Sequence, residues 1–566
     1  MLTQNSPAVE CAIAQRLDEC FPDAVRTRET FGGECTLEIE RHRLEDVLAL
    51  LRYDPALHFD FLTDLTAIDY GALEAVERFA LVYHLDSHMH DHRLRLKTFL
   101  DGELSVPTAK NLWPGAAWLE CEVYDMFGVE FGGHEGLARL LMPANFAHHP
   151  LRKDYPLQGM GERDEEIPEE NADEGSEGAV SLNLGPHHPA TGSDLHIVLE
   201  VDGEIVAAAQ ANPGLSHSGI EKLGEWHTYT QFITATDRIS YHAPFAGNLA
   251  YVLAVEKMLE LEVPRRAQYI RVALAELARI ADHLVWLAQQ AAGVGAEVVS
   301  AYALEQREHF CDLFEATTGA RLMASFVRIG GVAEDVPEHF EQMARVCVHG
   351  ARALVGEVHG MLTRNRIWVE RARGVGVIQA EQVIAWGVSG PVARAAGVER
   401  DVRYSAPYGL YEEFDFDVPV GAEGDVYDRY LVRLEEVLQS CRIVDQAVGN
   451  LPDGPCGNAS DKVALAPKSQ VYSRVESLIH HFKFWMHGHG IRSAPGVEVY
   501  VPTEAANGEF GFYIVSDGTD RAYRMRVRTP SFANYQIFPQ MVRGGDLAAA
   551  ATLLASLNIA PGEVDR

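Results

Sequence analysis

From Glu162 to Glu177 the chain carries nine acidic side chains and one basic, with Gly, Pro and Ser between them. Such a segment cannot bury enough apolar surface to offset the entropy of ordering it. The stretch therefore divides the chain into one part before it and one after it. We read residues 158–179 as an acidic flexible linker between an N-terminal domain, 1–157, and a C-terminal domain, 180–566. Fully extended, the stretch from 157 to 179 would reach roughly 70 Å at about 3.3 Å per residue. Its net −8 (nine acids less one base) is part of a formal charge of −34, from 82 acidic and 48 basic residues, so both folded parts stay acidic. That excess argues against nucleic-acid binding, which needs cations to neutralise phosphates. It argues equally against a basic face for anionic lipid.

The first 21 residues lack a basic segment followed by a long apolar run, so no secretory signal is expected. The most apolar long window, 283–304, contains Gln289, Gln290 and Glu297, and no membrane span is expected there. A soluble, cytoplasmic chain follows. Eight cysteines, at 11, 20, 35, 121, 311, 347, 441 and 456, form no C-x-x-C or C-x-C pair. They read as reduced structural thiols, not as a disulfide framework, an iron–sulfur site or a zinc site.

The hydrophobic pattern predicts an α+β fold. In the N-terminal domain, 44–51 has helical spacing, and 79–85 and 94–99 read as strands around a polar turn. After the linker, 194–201 and 204–208 flank Asp202-Gly203, a hairpin signal. Long helices follow. The spacing predicts one over 249–261, stopped before Pro264, and another over 265–292, where Ile270, Leu274, Leu277, Ala281 and Leu284 form one stripe. Gly293 is the expected C-cap of the second. A helix over 426–448 and strands over 498–527, with turns at Asn507-Gly508 and Asp517-Gly518, complete a helix-rich domain with small sheets.

Several motifs invite a chemical reading. His88, His90 and His92 would share one face of a strand, but they fall at a turn, and a solvated hairpin tip is the expectation. Gly374-Val-Gly376 lacks the third glycine of a dinucleotide loop. Gly214-Leu-Ser-His-Ser-Gly219 is one residue too long for a nucleophile elbow. His480-His481 and His487-Gly-His489 sit near a helix end, where a metal is one option. The run Gly185-Pro-His187-His188-Pro-Ala-Thr-Gly192 joins rigid Pro, permissive Gly and two imidazoles. It suits either a tight loop lining a cavity, with histidines that handle protons, or a structural turn. Tyr241, after Asp237-Arg238-Ile239-Ser240, is either a hydrogen-bond donor at a pocket end or a core tyrosine.

At these residues the chain resembles a known family. The segment 120–134 (ECEVYDMFGVEFGGH), with His149-Pro-Leu-Arg-Lys-Asp-Tyr-Pro156, resembles the signature of the C-type subunit of respiratory complex I. Asn183-Leu-Gly-Pro-His-His-Pro189, Gly219-Ile-Glu-Lys222, Thr236-Asp-Arg238, Ala254-Val-Glu-Lys257 and Arg328-Ile-Gly-Gly-Val332 resemble the D-type subunit. So do Ile479-His-His-Phe482, Val515-Ser-Asp-Gly518 and Gly562-Glu-Val-Asp-Arg566. The resemblance spans roughly 40–157 and 180–566, in the order of the C–D fusions of bacteria. It implies a C-type α/β domain followed by a domain like the nickel–iron hydrogenase large subunit. It further implies a peripheral-arm subunit of NADH:quinone oxidoreductase, at the cytoplasmic face of the inner membrane, whose quinone reduction is coupled to cation pumping. Quinone would be the substrate, and the chain itself would bind no cofactor. NAD, FMN and iron–sulfur clusters would sit on partner subunits. The partners implied are the B-type iron–sulfur small subunit, other peripheral-arm subunits and a membrane-arm subunit near the quinone tunnel.

Carried over by position, Tyr241 matches the tyrosine that hydrogen-bonds the quinone headgroup, Arg238 the arginine beside the terminal cluster, and His188 the histidine of the G-P-x-H-P loop. His187 neighbours it in the quinone-binding loop. Three positions depart from the pattern. The histidine of H-P-x-x-H-G falls on Gly192, its aspartate partner in H-L-x(8)-D-x-G-A on Gly293, and the cluster-side histidine of G-x-R-x-H on Met323. The resemblance thus implies a divergent member, with another acceptor or with protons delivered by water or by His187, and a cluster potential less dependent on pH. An energy-converting hydrogenase subunit shares the fold but needs two C-x-x-C pairs, absent near 238–242 and near the C-terminus. A non-catalytic scaffold is the other alternative, motivated by the missing His and Asp.

Overall fold

The computed structural model describes residues 7–71, 73, 77–100, 102–161, 180–188, 194–458, 460, 462–486 and 488–566. The expected linker from 162 onward, Gly192 and His487 lie outside the described residues.

Five strands form the N-terminal sheet: β1 (Val25–Phe31), β2 (Glu34–Ile39), β3 (Phe61–Asp69), β4 (Phe79–Ser87) and β5 (His92–Leu100). Their order is β1-β2-β5-β4-β3, with only β2 and β5 parallel. Side chains alternate across a strand. Phe79, Leu81, Tyr83 and Leu85 of β4 join Leu94, Leu96 and Leu100 of β5 in the main core. Helix Leu44–Tyr53 contributes Leu44, Val47, Leu48 and Leu51 to it, a stripe at helical spacing. A short parallel pair, β6 (Ser105–Pro107) and β7 (Glu130–Gly132), brackets helix Ala116–Phe127.

The C-terminal part opens with β8 (Val180–Leu184), β9 (His196–Asp202) and β10 (Ile205–Asn212), a three-stranded antiparallel sheet in the order β10-β9-β8. The expected hairpin is β9–β10; β8 is an additional strand. Residues 185–188 therefore follow directly on a strand that pairs with β9. Helices Pro244–Met258 and Arg265–Gly293 follow, the first beginning with Pro at its first turn. Gly293 is the last helical residue and not the cap. Val294 caps the helix, and the left-handed turn falls to Gly295 (φ 78°). Helix Arg265–Gly293 packs against Glu297–Thr318 and Val426–Gly449. A minimal hairpin, β11 (Val327–Arg328) and β12 (Gly331–Val332), lies between helices. The last sheet is an antiparallel meander, β13 (Pro495–Ala505), β14 (Gly508–Asp517) and β15 (Ala522–Arg528).

This meander covers the second face of the N-terminal sheet. Ile68 and Val82 pack with Tyr500, Tyr513, Val515 and Tyr523 in a small apolar cluster. Around it lies a buried layer of charge. Arg526 of β15 grips Asp64 of β3 with two bonds, 2.8 and 2.7 Å, and reaches Glu122 and Glu221. Arg524 pairs with Glu221 at 2.8 Å, and Arg93 of β5 is bidentate to Glu509 of β14, 3.1 Å each. Lys97 meets Glu498 at 2.5 Å. Burial alone would raise the carboxyls of Glu221 and Glu509. The arginines outweigh it and hold each at about 2.

The tip of the β4–β5 hairpin departs from expectation. His88 hydrogen-bonds Asp60 at 3.2 Å, His90 the Pro55 carbonyl at 3.0 Å and His92 the Leu57 carbonyl at 3.1 Å. His92 is buried. The tip is thus folded onto 54–60 and is only partly solvated, because each ring has a polar partner there.

Candidate functional site

Helix Tyr229–Thr236 starts in a capping box, Thr228 with Gln231, and ends at Asp237. Asp237 is fully buried. Its carboxylate accepts from the Ser325 amide (3.0 Å) and hydroxyl (2.7 Å), and from Arg238 (3.2 Å). One carboxylate thereby ties the Arg238 turn to the segment that carries Met323. Met323 itself is 41% exposed, with φ 51°. Ile239 is buried, and the turn runs on to Pro244, so Arg238 and Tyr241 are held on a short, anchored connection between two helices.

Arg238 and Tyr241 line a cavity of about 300 Å³ together with Asp194, Ser216, Ser218 and the segment Pro561, Gly562 and Asp565. The C-terminal segment lies directly on the turn. A Cβ at Gly562 would stand 2.7 Å from the Ile239 carbonyl, so only glycine permits this approach. Asp565 accepts from the amides of Gly214 (2.7 Å) and Ser216 (2.8 Å), which folds the 214–219 loop over the cavity. Burial pushes its carboxyl up. The His242 ring lies against Tyr241, centroids 4.5 Å apart, and burial depresses its imidazole. Behind Ser240 stands Glu563, fully buried and hydrogen-bonded to Ser531; burial pushes its carboxyl up to about 7.

The 185–188 loop reaches the cavity indirectly. At Gly185 (φ 98°) a Cβ would overlap the Leu195 carbonyl, so the loop closes tightly on the start of β9. His187, with φ 54°, is on the exposed side, its Nδ1 3.6 Å from Asp194 Oδ1. His188 is half-buried on the same loop. Among the described residues, the structure brings Tyr241 and Arg238 together, attaches His187 through Asp194, and leaves His188 and Met323 off the cavity lining. The sequence reading missed Asp194, Ser216, Asp565, His242 and Glu563. Asp565 and Glu563 stood inside the quoted C-terminal motif; Asp194 looked like the start of a strand.

Other motifs resolve elsewhere. Gly374 and Gly376 follow helix Arg366–Ala372 in a turn, where a Cβ at Gly376 would strike Leu553. His480 and His489 line a cavity of about 340 Å³ with Lys483 and Arg492. Among the described residues no three His, Cys, Asp or Glu side chains are grouped to hold a metal. A larger cavity, about 1130 Å³, lies between the two parts and includes none of the expected site residues.

Comparison with known proteins resolves the family. Residues 37–160 match the family described as respiratory-chain NADH dehydrogenase, 30 Kd subunit, and residues 293–566 that described as the 49 Kd subunit. The C/D subunit of NADH-quinone oxidoreductase from Bdellovibrio bacteriovorus is 41% identical over 541 residues, covering 94% of this chain and 95% of that protein. The second C/D subunit of Aquifex aeolicus is 40% identical over 98% of both. The chain belongs to the family of fused C/D subunits of NADH-quinone oxidoreductase. The D subunit of Geotalea uraniireducens is 44% identical over 387 residues, 68% of this chain and 98% of that protein. Fused C/D proteins thus match nearly end to end, while a separate D-type protein matches the larger share. The fold agrees at the level of a mixed α/β chain with a 30 Kd-type part before a 49 Kd-type part. Among the described residues, no helix is long and apolar enough to cross a membrane.

Proposed function

We propose that this chain is a peripheral-arm subunit of NADH:quinone oxidoreductase and forms one wall of the quinone-reduction cavity. In this reading the 180–566 part has a hydrogenase large-subunit fold and docks on the B-type iron–sulfur subunit, with other peripheral-arm subunits and a membrane-arm subunit alongside. It works at the cytoplasmic face of the inner membrane, and its turnover drives proton translocation. Quinone accepts two electrons from the iron–sulfur clusters of partner subunits and two protons, giving the hydroquinone.

The observation that carries this reading is the opening of Tyr241 and Arg238 onto one cavity. The Tyr241 hydroxyl donates to a quinone carbonyl, where negative charge develops on reduction. The Arg238 guanidinium, 56% exposed, keeps its charge available to favour a reduced cluster beside it. His188, half-buried on the 185–188 loop, stands off the cavity lining and acts on the headgroup through that loop and not by contact. With Met323 in place of an imidazole, nothing at that position titrates.

Tyr241→Phe in the assembled complex, in native membranes, tests the reading. Quinone reduction by NADH should fall on the order of 100-fold, while NADH oxidation by hexacyanoferrate, which bypasses the quinone, should hold. Undiminished quinone reduction would reject the catalytic reading in favour of a scaffold.

A further inference from the structure

We infer that His187 and Asp194 form a proton port into the Tyr241 cavity; this rests on the quinone-site reading above. Asp194 is the acidic side chain that both lines the cavity and reaches outward. Its Oδ1 stands 3.6 Å from His187 Nδ1, and its Oδ2 accepts from the Ser216 hydroxyl at 3.4 Å. The side chains are 84% (His187) and 48% (Asp194) exposed, so the imidazole meets water and the carboxylate bridges it to the cavity. The backbone supports a built arrangement. His187 holds φ 54°, a conformation that costs a non-glycine residue energy, and Gly185 lets the loop close on Leu195 beside Asp194. Ser216, which steadies Asp194, is itself fixed by its amide on Asp565.

The pair supplies what positions 192 and 293 lack. Both carry glycine, so neither offers a proton. His187 takes a proton from water and passes it to Asp194. Asp194 delivers it to the oxygen of the doubly reduced quinone and returns to carboxylate. The electrons come from the partners' clusters, and the second proton from the Tyr241 hydroxyl, which water reprotonates. The charged and titrating groups facing the port are Arg238, Tyr241, Asp565 and His217, with His188 on the same loop. Asp194 is the delivering group, and His187 a positioning and relaying residue.

The test uses His187→Asn, Asp194→Asn and Asp194→Glu in the assembled complex in membranes. The Asn variants should lower kcat for quinone reduction about 10- to 100-fold near pH 8. The loss should shrink near about pH 6, where water supplies protons more readily, with KM for quinone held. The double variant should be no worse than Asp194→Asn alone, because the two act as a unit, and Asp194→Glu should keep most of the rate. Hexacyanoferrate reduction should be unchanged throughout. Wild-type kcat and pH profile in both Asn variants would overturn the port. If Tyr241→Phe still collapses quinone reduction in that case, the port alone fails; if it does not, the quinone-site reading fails.

Discussion

The sheet-on-sheet layer and the Tyr241 cavity are built from the same residue types and behave oppositely. In the layer, Arg524 and Arg526 are buried and Arg93 is only slightly exposed, and each guanidinium meets carboxylates from the other part of the chain or from a neighbouring helix. At the cavity, Arg238, Asp194 and His187 are about half exposed or more. Removing one partner of a buried pair strands the other in low dielectric, whereas water covers an exposed ion at little cost. The layer's charges are committed to holding the two parts together. The cavity's charges stay in contact with water as well as with their partners.

The largest effect should come from breaking the layer. Arg526→Ala leaves Asp64, Glu122 and Glu221 facing one another, and should cost about 3–5 kcal/mol in urea unfolding of the full chain. If that variant fails to fold, Arg526→Lys should still lower the midpoint, since an ammonium cannot reproduce the two-pronged grip on Asp64. Asp194→Asn should instead leave stability within about 0.5 kcal/mol, even though it impairs turnover. Equal destabilisation by the two would erase the contrast.

A smaller effect separates the regions by pH. Glu563 has its carboxyl raised from near 4.5 to about 7 by burial. A raised acid stabilises the fold fully below its unfolded value, and that contribution is lost as pH rises through the folded one. Glu563→Gln should therefore gain stability relative to the parent above about pH 7 and show no such gain below about pH 4.5. Glu221 and Glu509, held at about 2, act the other way: their contribution is present above the ordinary carboxylate value and fades as pH falls toward about 2. Thermal melts across pH read both. Smallest of all should be Met323→His, which leaves the fold intact because the side chain is exposed. Under the proposed function, which puts a partner's cluster beside this position, it should steepen the pH dependence of that cluster's midpoint potential in a redox titration of the complex. An unchanged slope would detach Met323 from that cluster.

Much of the architecture was legible because its periods are local. Strands β4, β5, β9 and β10 and helix Val426–Gly449 fall where alternation, turn dipeptides and helical stripes put them. Strand β8 was not legible, since Val180–Leu184 abuts the acidic stretch and is almost wholly exposed on its own. The polar faces of β5 and β15, with Arg93, Arg95 and Lys97 on one and Arg524, Arg526 and Arg528 on the other, look solvent-facing in sequence. They face the other sheet because partners hundreds of residues away take them up, carboxylates for Arg93, Lys97, Arg524 and Arg526 and backbone carbonyls for Arg528, a match that no local pattern encodes.

The candidate site divides in the same way. Tyr241 and Arg238 were marked by the resemblance, and the structure puts both on one cavity. Asp194, Ser216 and Asp565 have no signal in their spacing, because they converge from a strand start, a loop and the C-terminal segment. By itself the sequence determined the two-part order and, through the resemblance of its short motifs, the family, and it marked the Arg238–Tyr241 turn as a candidate site. Only the tertiary structure decided that the parts share a buried charged face and that His187 stands beside Asp194. Both depend on distances across the fold, where desolvation and charge pairing, not local propensity, set the energy.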